Sequence, residues 1–289
     1  MNRSLFVLLV LLATSLMGSS FAVGKVGLSY VSPLLLVGIR FVLAGGIMAL
    51  AVRLQQRRLP DSLKDWSKLL LIGACQTTAV MGCIFLSMRT IPAGETSILT
   101  FMNPLFVVVF GVLFMRLRYR FYQWVGVVVG FAGVFVTLGF HLQLSTGTVL
   151  GLGSAIAWAV ATLLVKQWGD GFDRWVLTAY QMLFGGLLLL GLAFTMETTR
   201  LVLNWTAMGV ILYLALLGSI VQFATWYYLL GKGDPGRTSA FLFLAPFFGV
   251  LSGWLILRER IHWYAYVGGL FIFLGIFLVN WTSGKSKRH

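Results

Sequence analysis

Long apolar segments, separated by short polar ones, follow one another from one end of the chain to the other. Ten such segments, each about the 17 to 25 residues that cross a bilayer as a helix, are centred near residues 14, 43, 78, 104, 130, 157, 185, 218, 247 and 272. Uninterrupted runs such as FVVVFGVLF lack the alternation of membrane β-strands. The pattern therefore predicts an all-α membrane protein with ten transmembrane helices.

The composition and the distribution of charge agree with this class. The chain is 59% hydrophobic and 10% charged, whereas a soluble domain is about a quarter charged. If the N-terminus is cytoplasmic, most of the 22 basic residues fall on the cytoplasmic side, with clusters at 53–68, 116–120 and 285–288. This bias is usual for membrane proteins. We therefore expect both termini in the cytoplasm, a place in the cytoplasmic (inner) membrane with the lipid bilayer as partner, and no nucleic-acid binding.

The chain contains an internal repeat whose two copies are related by a nearly constant offset in residue number. The segment AGETSILTFMNPLF, residues 93–106, aligns with PGRTSAFLFLAPFF, residues 235–248. The same offset pairs Gly94 with Gly236, Pro104 with Pro246, Arg116 with Arg258, Gly126 with Gly268 and Gly133 with Gly275, and an offset smaller by one pairs Lys25 with Lys166 and Gly45 with Gly186. We therefore divide the chain into a first five-helix repeat, 1–142, and a second, 143–289, within one integrated membrane domain.

An odd number of helices in each repeat predicts that the two repeats are inverted relative to each other in the membrane. Inverted five-helix repeats are typical of carriers whose site lies between the halves. The first segment resembles a signal peptide, but it has the sixth segment as its repeat partner, so we expect it to be retained as a helix. The sequence thus predicts a secondary transporter.

The unit TSILTFMNPLFVVVFGVLFMRLRYRFYQWVGVVVGFAGVFVTL and its second copy TSAFLFLAPFFGVLSGWLILRERIHWYAYVGGLFIFLGIFLVN resemble the drug/metabolite transporter (DMT) superfamily, specifically its ten-span EamA-type exporters. The motif GIRF around Arg40 and the motif LILRER are similar to that family as well. The resemblance covers nearly the whole chain and implies two inverted five-helix repeats. It also implies export of amino acids, nucleosides or drugs, and the aromatic residues in the spans favour aromatic amino-acid exporters of the YddG type.

Two prolines lie inside equivalent apolar segments. Proline lacks a backbone donor and frees a carbonyl group one turn earlier, which bends a helix. In a membrane the freed group is tolerated against protein or a water-filled cavity, so we expect both helices to bend around a shared cavity. The alternative is that proline is simply commoner in membrane helices. The stripes that would face this cavity are Ser97, Phe101 and Pro104 in one repeat and Ser239, Phe243 and Pro246 in the other.

Three ionisable residues stand out at or within the apolar segments. Glu95 aligns with Arg237 in the repeat, so inversion would place an acid and a base at opposite membrane faces. Glu95 either balances a helix dipole or acts in gating or in contact with a substrate amine. Arg40 lies within the second segment without an obvious acidic partner. It either has a structural role, by reaching the membrane surface or binding carbonyl groups, or it binds a substrate carboxylate.

Other polar and aromatic residues complete a candidate substrate-binding set. A mostly apolar and aromatic pocket with a few polar groups suits a hydrophobic or aromatic amino acid. These further predicted lining residues are Gln76, Thr78, Met81, Asn103, Trp158, Tyr180, Gln181, Gln222 and Trp226.

Other kinds of chemistry find little support in the sequence. The histidines lie in loops or at the terminus, so no Ser/His pair is expected within the membrane, and we expect no enzymatic activity. Cys75 and Cys83 with three scattered histidines predict neither a metal site nor a cofactor. Because no Asp or Glu lies in mid-span, we favour uniport of a small-molecule substrate by alternating access. The alternatives are a proton-coupled drug or metabolite antiporter using Glu95, a channel and a lipid-acting enzyme. The sequence is compatible with a monomer and does not define the oligomeric state.

Overall fold

The computed structural model describes residues 3–116, 118–137, 145–232, 241, 244–259 and 262–280, most of which are helical. Two π-helical segments, Ala74–Ala79 and Tyr213–Val221, each join two of the α-helices. Within the described ranges, β pairing is confined to one isolated bridge between Val31 and Leu201. The helices are α1 (Arg3–Gly27), α2 (Pro33–Leu54), α3 (Leu63–Gly73), α4 (Val80–Ser87), α5 (Ala93–Thr100), α6 (Asn103–Met115), α7 (Phe121–Thr137), α8 (Thr146–Trp168), α9 (Arg174–Met196), α10 (Trp205–Leu212), α11 (Gln222–Lys232), α12 (Leu244–Leu257) and α13 (Trp263–Asn280).

Seven stretches of these helices are long and apolar enough to cross a bilayer, counted over the described residues. Three shorter apolar helices coincide with the other predicted segments: Phe121–Val136, Leu244–Leu257 and Tyr266–Val279. The prediction of an all-α membrane protein is therefore confirmed. The count of ten crossings, the inverted relation of the repeats and the boundary between them stay predictions.

Helices α2 and α9, which occupy equivalent places in the two predicted repeats, pack with their backbones in close contact. A Cβ atom added at Gly45 would collide with the backbone nitrogen of Leu183, and one added at Gly186 would lie 2.7 Å from the backbone nitrogen of Val42. Gly186 is the repeat equivalent of Gly45, and the same offset makes Leu183 the equivalent of Val42. The two contacts are therefore reciprocal, and small residues permit the close approach.

Helices α7 and α13 pack in the same reciprocal way. A Cβ atom added at Gly126 would lie 2.6 Å from the carbonyl oxygen of Gly275, and one added at Gly133 would lie 2.6 Å from that of Gly268. Here too the four glycines form two equivalent pairs in the repeat alignment, Gly126 with Gly268 and Gly133 with Gly275. Two separate helix pairs thus exchange equivalent glycine contacts.

Irregular backbone also recurs at equivalent positions. In the repeat alignment, the π-helical segment Ala74–Ala79 falls on the end of the segment Tyr213–Val221. Helices α6 and α12 are each followed by an arginine in the left-handed conformation, Arg116 with a φ of 52° and Arg258 with a φ of 53°. Because this conformation is uncommon for residues other than glycine, its recurrence indicates that the two halves share details of their backbone geometry.

The helical stretch that contains Pro104 is interrupted in its middle. Phe101 and Met102 form a turn between α5 and α6, and Pro104 is the second residue of α6, where a missing N–H group costs little. The turn brings Phe101 against the main apolar core, which α1, α2, α4 and α9 largely form. Residues 242 and 243 lie outside the described residues, so a bend before Pro246 stays a prediction.

Candidate substrate-binding cavity

A narrow cavity lies inside the helix bundle, between helices of both predicted repeats. Its volume is about 50 Å³, well below the roughly 300 to 1,000 Å³ of typical ligand pockets. The surrounding helices must therefore move apart before it can hold a metabolite. Its walls come from α1, α2, α4, α8 and α11, from the first π-helical segment and from the turn before α6. The lining residues are Met17, Ser20, Phe21, Arg40, Gln76, Met81, Ile84, Phe85, Phe101, Trp158, Gln222 and Phe223.

Arg40 is the charged residue among those that line the cavity, and it is 3% exposed. Its Nε donates a hydrogen bond to Oγ of Ser219 over 2.9 Å, and its Nη2 donates to the carbonyl oxygen of Gly218 over 2.7 Å. The guanidinium also lies 4.7 Å from the centre of the Phe41 ring. The side chain therefore does not reach the membrane surface, which was one structural alternative, but binds a carbonyl group in the second π-helical segment.

The charge of Arg40 has no acidic partner in the described part of the chain. The ion pairs there join other residues, and none of the lining residues is Asp or Glu. An ion removed from water without a counter-ion is costly. Arg40 is thus a buried cation whose compensation comes from a hydroxyl group, a carbonyl dipole and an aromatic face.

The second π-helical segment prepares the groups that Arg40 binds. Oγ of Ser219 donates to the carbonyl oxygen of Leu214, one π-helical turn earlier, over 2.9 Å, so it is oriented to accept from Arg40. Local π-helical geometry often marks functional sites in helices. The arrangement fixes the guanidinium at one side of the cavity.

Gln222 adds an amide hydrogen-bond donor to the cavity. It is 4% exposed, and its Nε2 has no hydrogen-bond partner among the described residues. A buried donor without an acceptor costs about 1 to 3 kcal/mol. An acceptor group bound in the cavity would remove this cost, and Arg40 provides a positive charge in the same space.

The position of Arg40 has a neutral counterpart in the second repeat. In the repeat alignment Gln181 is the equivalent of Arg40, and Ser219 is the equivalent of Thr77. Oγ1 of Thr77 donates to Oε1 of Gln181 over 2.7 Å, so each repeat joins α2 or α9 to a hydroxyl group on the π-helical segment of the other repeat. The contact is common to both halves, whereas the charge belongs to the half with Arg40.

Aromatic rings form one wall of the cavity. The ring centres of Phe21 and Phe101 are 6.0 Å apart, and those of Phe101 and Trp158 are 5.4 Å apart. Such tilted aromatic pairs provide a rigid apolar surface. The cavity therefore combines an aromatic wall with a small number of polar donors, which is the usual design of a small-molecule site.

The structure brings six residues of the predicted set together in this cavity. They come from separate helical stretches of both predicted repeats, which explains why the sequence could not show that they meet. These residues are Arg40, Gln76, Met81, Phe101, Trp158 and Gln222.

The other described residues of the predicted set do not line this cavity. Thr78 and Ser97 donate hydrogen bonds to carbonyl groups of α9 and α12, and Gln181 accepts one from Thr77. Trp226 packs in a separate apolar cluster with residues of α1. Their substrate contacts stay predictions, as do those of the remaining members, Asn103 at the start of α6 and Tyr180, whose hydroxyl group accepts a hydrogen bond from Arg53.

One end of the bundle is held together by the carboxylate of Glu259, which follows α12. It accepts hydrogen bonds from the N–H groups of Ala93 over 2.8 Å and of Gly94 over 3.2 Å, at the start of α5. Its Oε1 also lies 3.1 Å from Nζ of Lys25 in the last turn of α1. Nζ of Lys25 donates in addition to the carbonyl oxygen of Ile91 over 2.8 Å. This Lys25 end thus joins α1, α5 and the segment after α12.

Glu95 lies in the first turn of α5, partly buried, within electrostatic reach of Lys25 and Glu259. The carboxylate of Glu259 already binds the N–H groups of this turn and Lys25. Glu95 is therefore a second carboxylate near Lys25. Glu95 does not line the cavity. Arg237, Ser239 and Phe243 lie outside the described residues.

Sequence reasoning missed the contribution of α1 and the role of Glu259. Met17, Ser20 and Phe21 line the cavity at a spacing of three and four residues, which is a helical stripe, but the segment offered no strongly polar residue to mark it. Glu259 stands between two arginines in a loop, and loop charges are usually exposed. Its contact with Ala93 joins parts of the chain that are far apart in sequence, one in each predicted repeat.

Comparison with known proteins agrees with a membrane transporter. The EamA-like transporter family model matches twice, over residues 4–139 and 145–281. An uncharacterized transporter YvbV of Bacillus subtilis (strain 168) is 28% identical over 276 residues, which cover 94% of this chain and 90% of the relative. A probable amino-acid metabolite efflux pump of Escherichia coli (strain K12) is 27% identical over 285 residues, 93% of each chain. The chain belongs to the EamA-like transporter family.

A solved structure supports the fold. A crystal structure of another protein aligns with a TM-score of 0.66 and 19% identity, covering 96% of both chains. At this level of identity the likeness concerns the fold alone.

Proposed function

We propose that this transporter is a secondary carrier that exports small metabolites with a carboxylate and an apolar or aromatic body, such as hydrophobic and aromatic amino acids. The observation that carries the proposal is the guanidinium of Arg40, buried in a cavity whose described lining residues include no acid. Arg40 and Nε2 of Gln222 can donate hydrogen bonds to a carboxylate, while Phe101 and Trp158 offer an apolar surface to the rest of the molecule. The efflux-pump relative of Escherichia coli supports a substrate related to amino acids.

Ten helices arranged as two inverted repeats, 1–142 and 143–289, would place this cavity at the interface between the halves. The reciprocal contacts of Gly45 with Leu183 and of Gly186 with Val42 support a two-fold relation between the repeats. The basic loops favour cytoplasmic termini in the cytoplasmic membrane. Carriers of this kind alternate by moving one repeat or bundle against the other around a fixed site.

The Lys25 end is the gate in this proposal. The contacts of Glu259 with Lys25, Ala93 and Gly94 close this end by joining three parts of the bundle. Breaking them would separate α1 from α5 and admit solvent from that side. The narrow cavity agrees with a state in which this end is closed.

Uniport is the mode of transport that the cavity favours. None of its described lining residues is Asp, Glu or His, the side chains that usually carry protons in transporters. Proton-coupled antiport is the second candidate, because Glu95 and Glu259 place two carboxylates near one lysine. One of two such carboxylates can take up a proton when the gate opens. An imposed pH gradient that drives substrate accumulation would favour antiport.

Replacement of Arg40 by glutamine tests the proposed function. We expect counterflow of labelled L-phenylalanine into proteoliposomes to slow by at least about ten-fold, because a hydrogen bond to a charged group contributes about 1.5 to 3 kcal/mol. Arg53→Gln is the matched control, since Arg53 lies on the same helix and donates to Tyr180 away from the cavity. Equal rates for wild type and the Arg40 variant would contradict a carboxylate site at Arg40.

A further inference from the structure

The described polar residues of the cavity include a positive charge and no negative one, and this determines which substrate charges the cavity can bind. Arg40 is positive, and the other polar lining residues, Ser20, Gln76 and Gln222, are neutral. A substrate carboxylate would be matched there, but a substrate ammonium group would find no carboxylate among the described lining residues. The lining is therefore complementary to an anion rather than to a molecule with both charges.

We propose that the site selects monocarboxylates with an apolar or aromatic body and no free ammonium group, in preference to zwitterionic amino acids. This inference rests on the proposed function and narrows its substrate class. A monoanion neutralises Arg40. A zwitterion also brings a cation into a buried space, where an ammonium group without a counter-ion loses its hydration uncompensated.

The acceptors around Arg40 compensate an ammonium group poorly. The carbonyl oxygen of Gly218 already accepts from Arg40, and the hydroxyl oxygen of Ser20, whose hydrogen is donated to Leu16 within α1, can accept but carries no formal charge. Aromatic faces such as Trp158 attract cations, but the guanidinium in the same cavity repels them at short range. The amide oxygens of the two glutamines offer dipoles and no charge.

Three carboxylates at the ends of the surrounding helices are bound elsewhere, and a fourth, Glu95, does not line the cavity. Glu259 is 3.1 Å from Nζ of Lys25, and Asp173 is 3.1 Å from Nη1 of Arg57. Glu197 accepts a hydrogen bond from the N–H group of Leu35 in the first turn of α2. Among the described residues, these acids are held at the ends of the bundle, so the positive charge of Arg40 has no carboxylate counter-ion among them until a substrate binds.

The scaffold allows the charge of Arg40 to be removed by itself. The equivalent position in the second repeat is Gln181, which accepts a hydrogen bond from Thr77 on a π-helical segment. An amide side chain is thus compatible with this place in the fold, and in an Arg40→Gln variant the amide nitrogen can donate to Oγ of Ser219, whose own hydrogen is donated to Leu214. This variant removes the charge from the cavity while keeping the contact between the repeats.

Four probes that share a phenyl ring and a short chain separate charge from shape. They are 3-phenylpropionate (anion), L-phenylalanine (zwitterion), 3-phenylpropanamide (neutral) and phenethylamine (cation). Their equilibrium binding to the purified protein in lipid nanodiscs is measured by calorimetry. We expect 3-phenylpropionate to bind at least about ten-fold more tightly than L-phenylalanine and phenethylamine to bind most weakly.

Variants at Arg40 assign this order to the guanidinium. Arg40→Gln is expected to lower the affinity for 3-phenylpropionate by at least about ten-fold and to change the affinity for 3-phenylpropanamide by less than about three-fold. Arg40→Lys is expected to keep the preference for the anion, because it keeps the charge. Thermal unfolding of each variant confirms that it is folded.

The outcomes distinguish the inference from the proposed function. Binding of L-phenylalanine as tight as that of 3-phenylpropionate would overturn the inference and leave the proposed function standing. Failure of both carboxylates to bind the folded wild type would overturn the proposed function and the inference with it. An unchanged order of affinities in Arg40→Gln would overturn the selection by Arg40.

Discussion

Replacing Glu259 by glutamine is expected to weaken the contact that closes the Lys25 end. The carboxylate binds two backbone N–H groups, at 2.8 and 3.2 Å, and lies 3.1 Å from Nζ of Lys25. Glutamine keeps one acceptor oxygen but loses the charge. Hydrogen bonds to charged groups contribute about 1.5 to 3 kcal/mol each, and water at the opened end offsets part of the loss. A net change of about 2 kcal/mol corresponds to a roughly thirty-fold larger population of the open state.

A cysteine at Ser20 measures this opening directly. Ser20 lines the cavity, is 7% exposed, and bonds through Oγ to Leu16 of its own helix, so cysteine is a conservative replacement. The native thiols, Cys75 and Cys83, are first replaced by alanine. A thiol reagent that does not cross the membrane is added on the side at which Lys25 lies. We expect Glu259→Gln to increase the labelling rate by roughly thirty-fold, in proportion to the open population.

Arg89→Gln is the matched control for this experiment. Arg89 is an exposed charge between α4 and α5 at the same end of the bundle, and its replacement is expected to leave the labelling rate unchanged. If Glu259→Gln is folded and labels at the wild-type rate, the contacts of Glu259 do not keep this end closed and the reasoning is refuted.

Two further predictions concern stability. Gly45→Ala is expected to destabilise the protein by about 1 to 3 kcal/mol, because the added Cβ collides with Leu183. The control Gly46→Ala, which has open space around it, is expected to be neutral or stabilising by up to about 1 kcal/mol. Equal unfolding temperatures of the two variants in detergent would contradict the α2–α9 packing. Burial raises the pKa of Asp173, but the hydrogen bond from Arg57 and two from backbone N–H groups bring that pKa below its ordinary value. The ionised carboxylate of Asp173 therefore contributes fully to stability above about pH 4, and this contribution is lost as the pH falls through the folded-state pKa. Asp173→Asn keeps the helix cap and removes the pH dependence that comes from this carboxylate. Below about pH 4 the unfolding temperature of the wild type should therefore fall faster than that of the variant. If the two unfolding temperatures fall in parallel, the ion pair contributes nothing to stability.

The all-α membrane class could be predicted because apolar runs of membrane-spanning length follow one another along the chain. The internal repeat could be recognised because matched residues recur at a nearly constant offset. Pro104 predicted irregular backbone, and the helix is interrupted immediately before it. Gln222 could be predicted as a cavity residue because polar groups in apolar helices avoid lipid, whereas the sequence left Arg40 open between a structural role and binding of a substrate carboxylate. Because a charge in lipid is costly, Arg40 had to reach the membrane surface, bind polar groups of the protein or face a cavity.

The rotation of each helix about its own axis could not be predicted. Apart from Arg40 and Arg53, helix α2 is apolar on all sides, so its sequence does not show which face meets α9. For the same reason the sequence could not show that Tyr180 bonds to Arg53 of α2 and that Gln181 bonds to Thr77 of the first π-helical segment; the substrate contacts of both residues stay predictions. The π-helical segments were missed too, because their sequences are ordinary for a helix and their geometry depends on tertiary contacts.

The central claim is that the cavity around Arg40 is the substrate site of a carrier, and counterflow tests it most directly. Liposomes that contain the purified protein are loaded with unlabelled 3-phenylpropionate or L-phenylalanine, and uptake of the same labelled compound is followed with and without an imposed pH gradient. We predict saturable uptake that requires the internal substrate, does not depend on the pH gradient and is slower by at least about ten-fold in Arg40→Gln. Uptake that does not saturate and does not require internal substrate would indicate a channel, and uptake unchanged in Arg40→Gln would contradict the site.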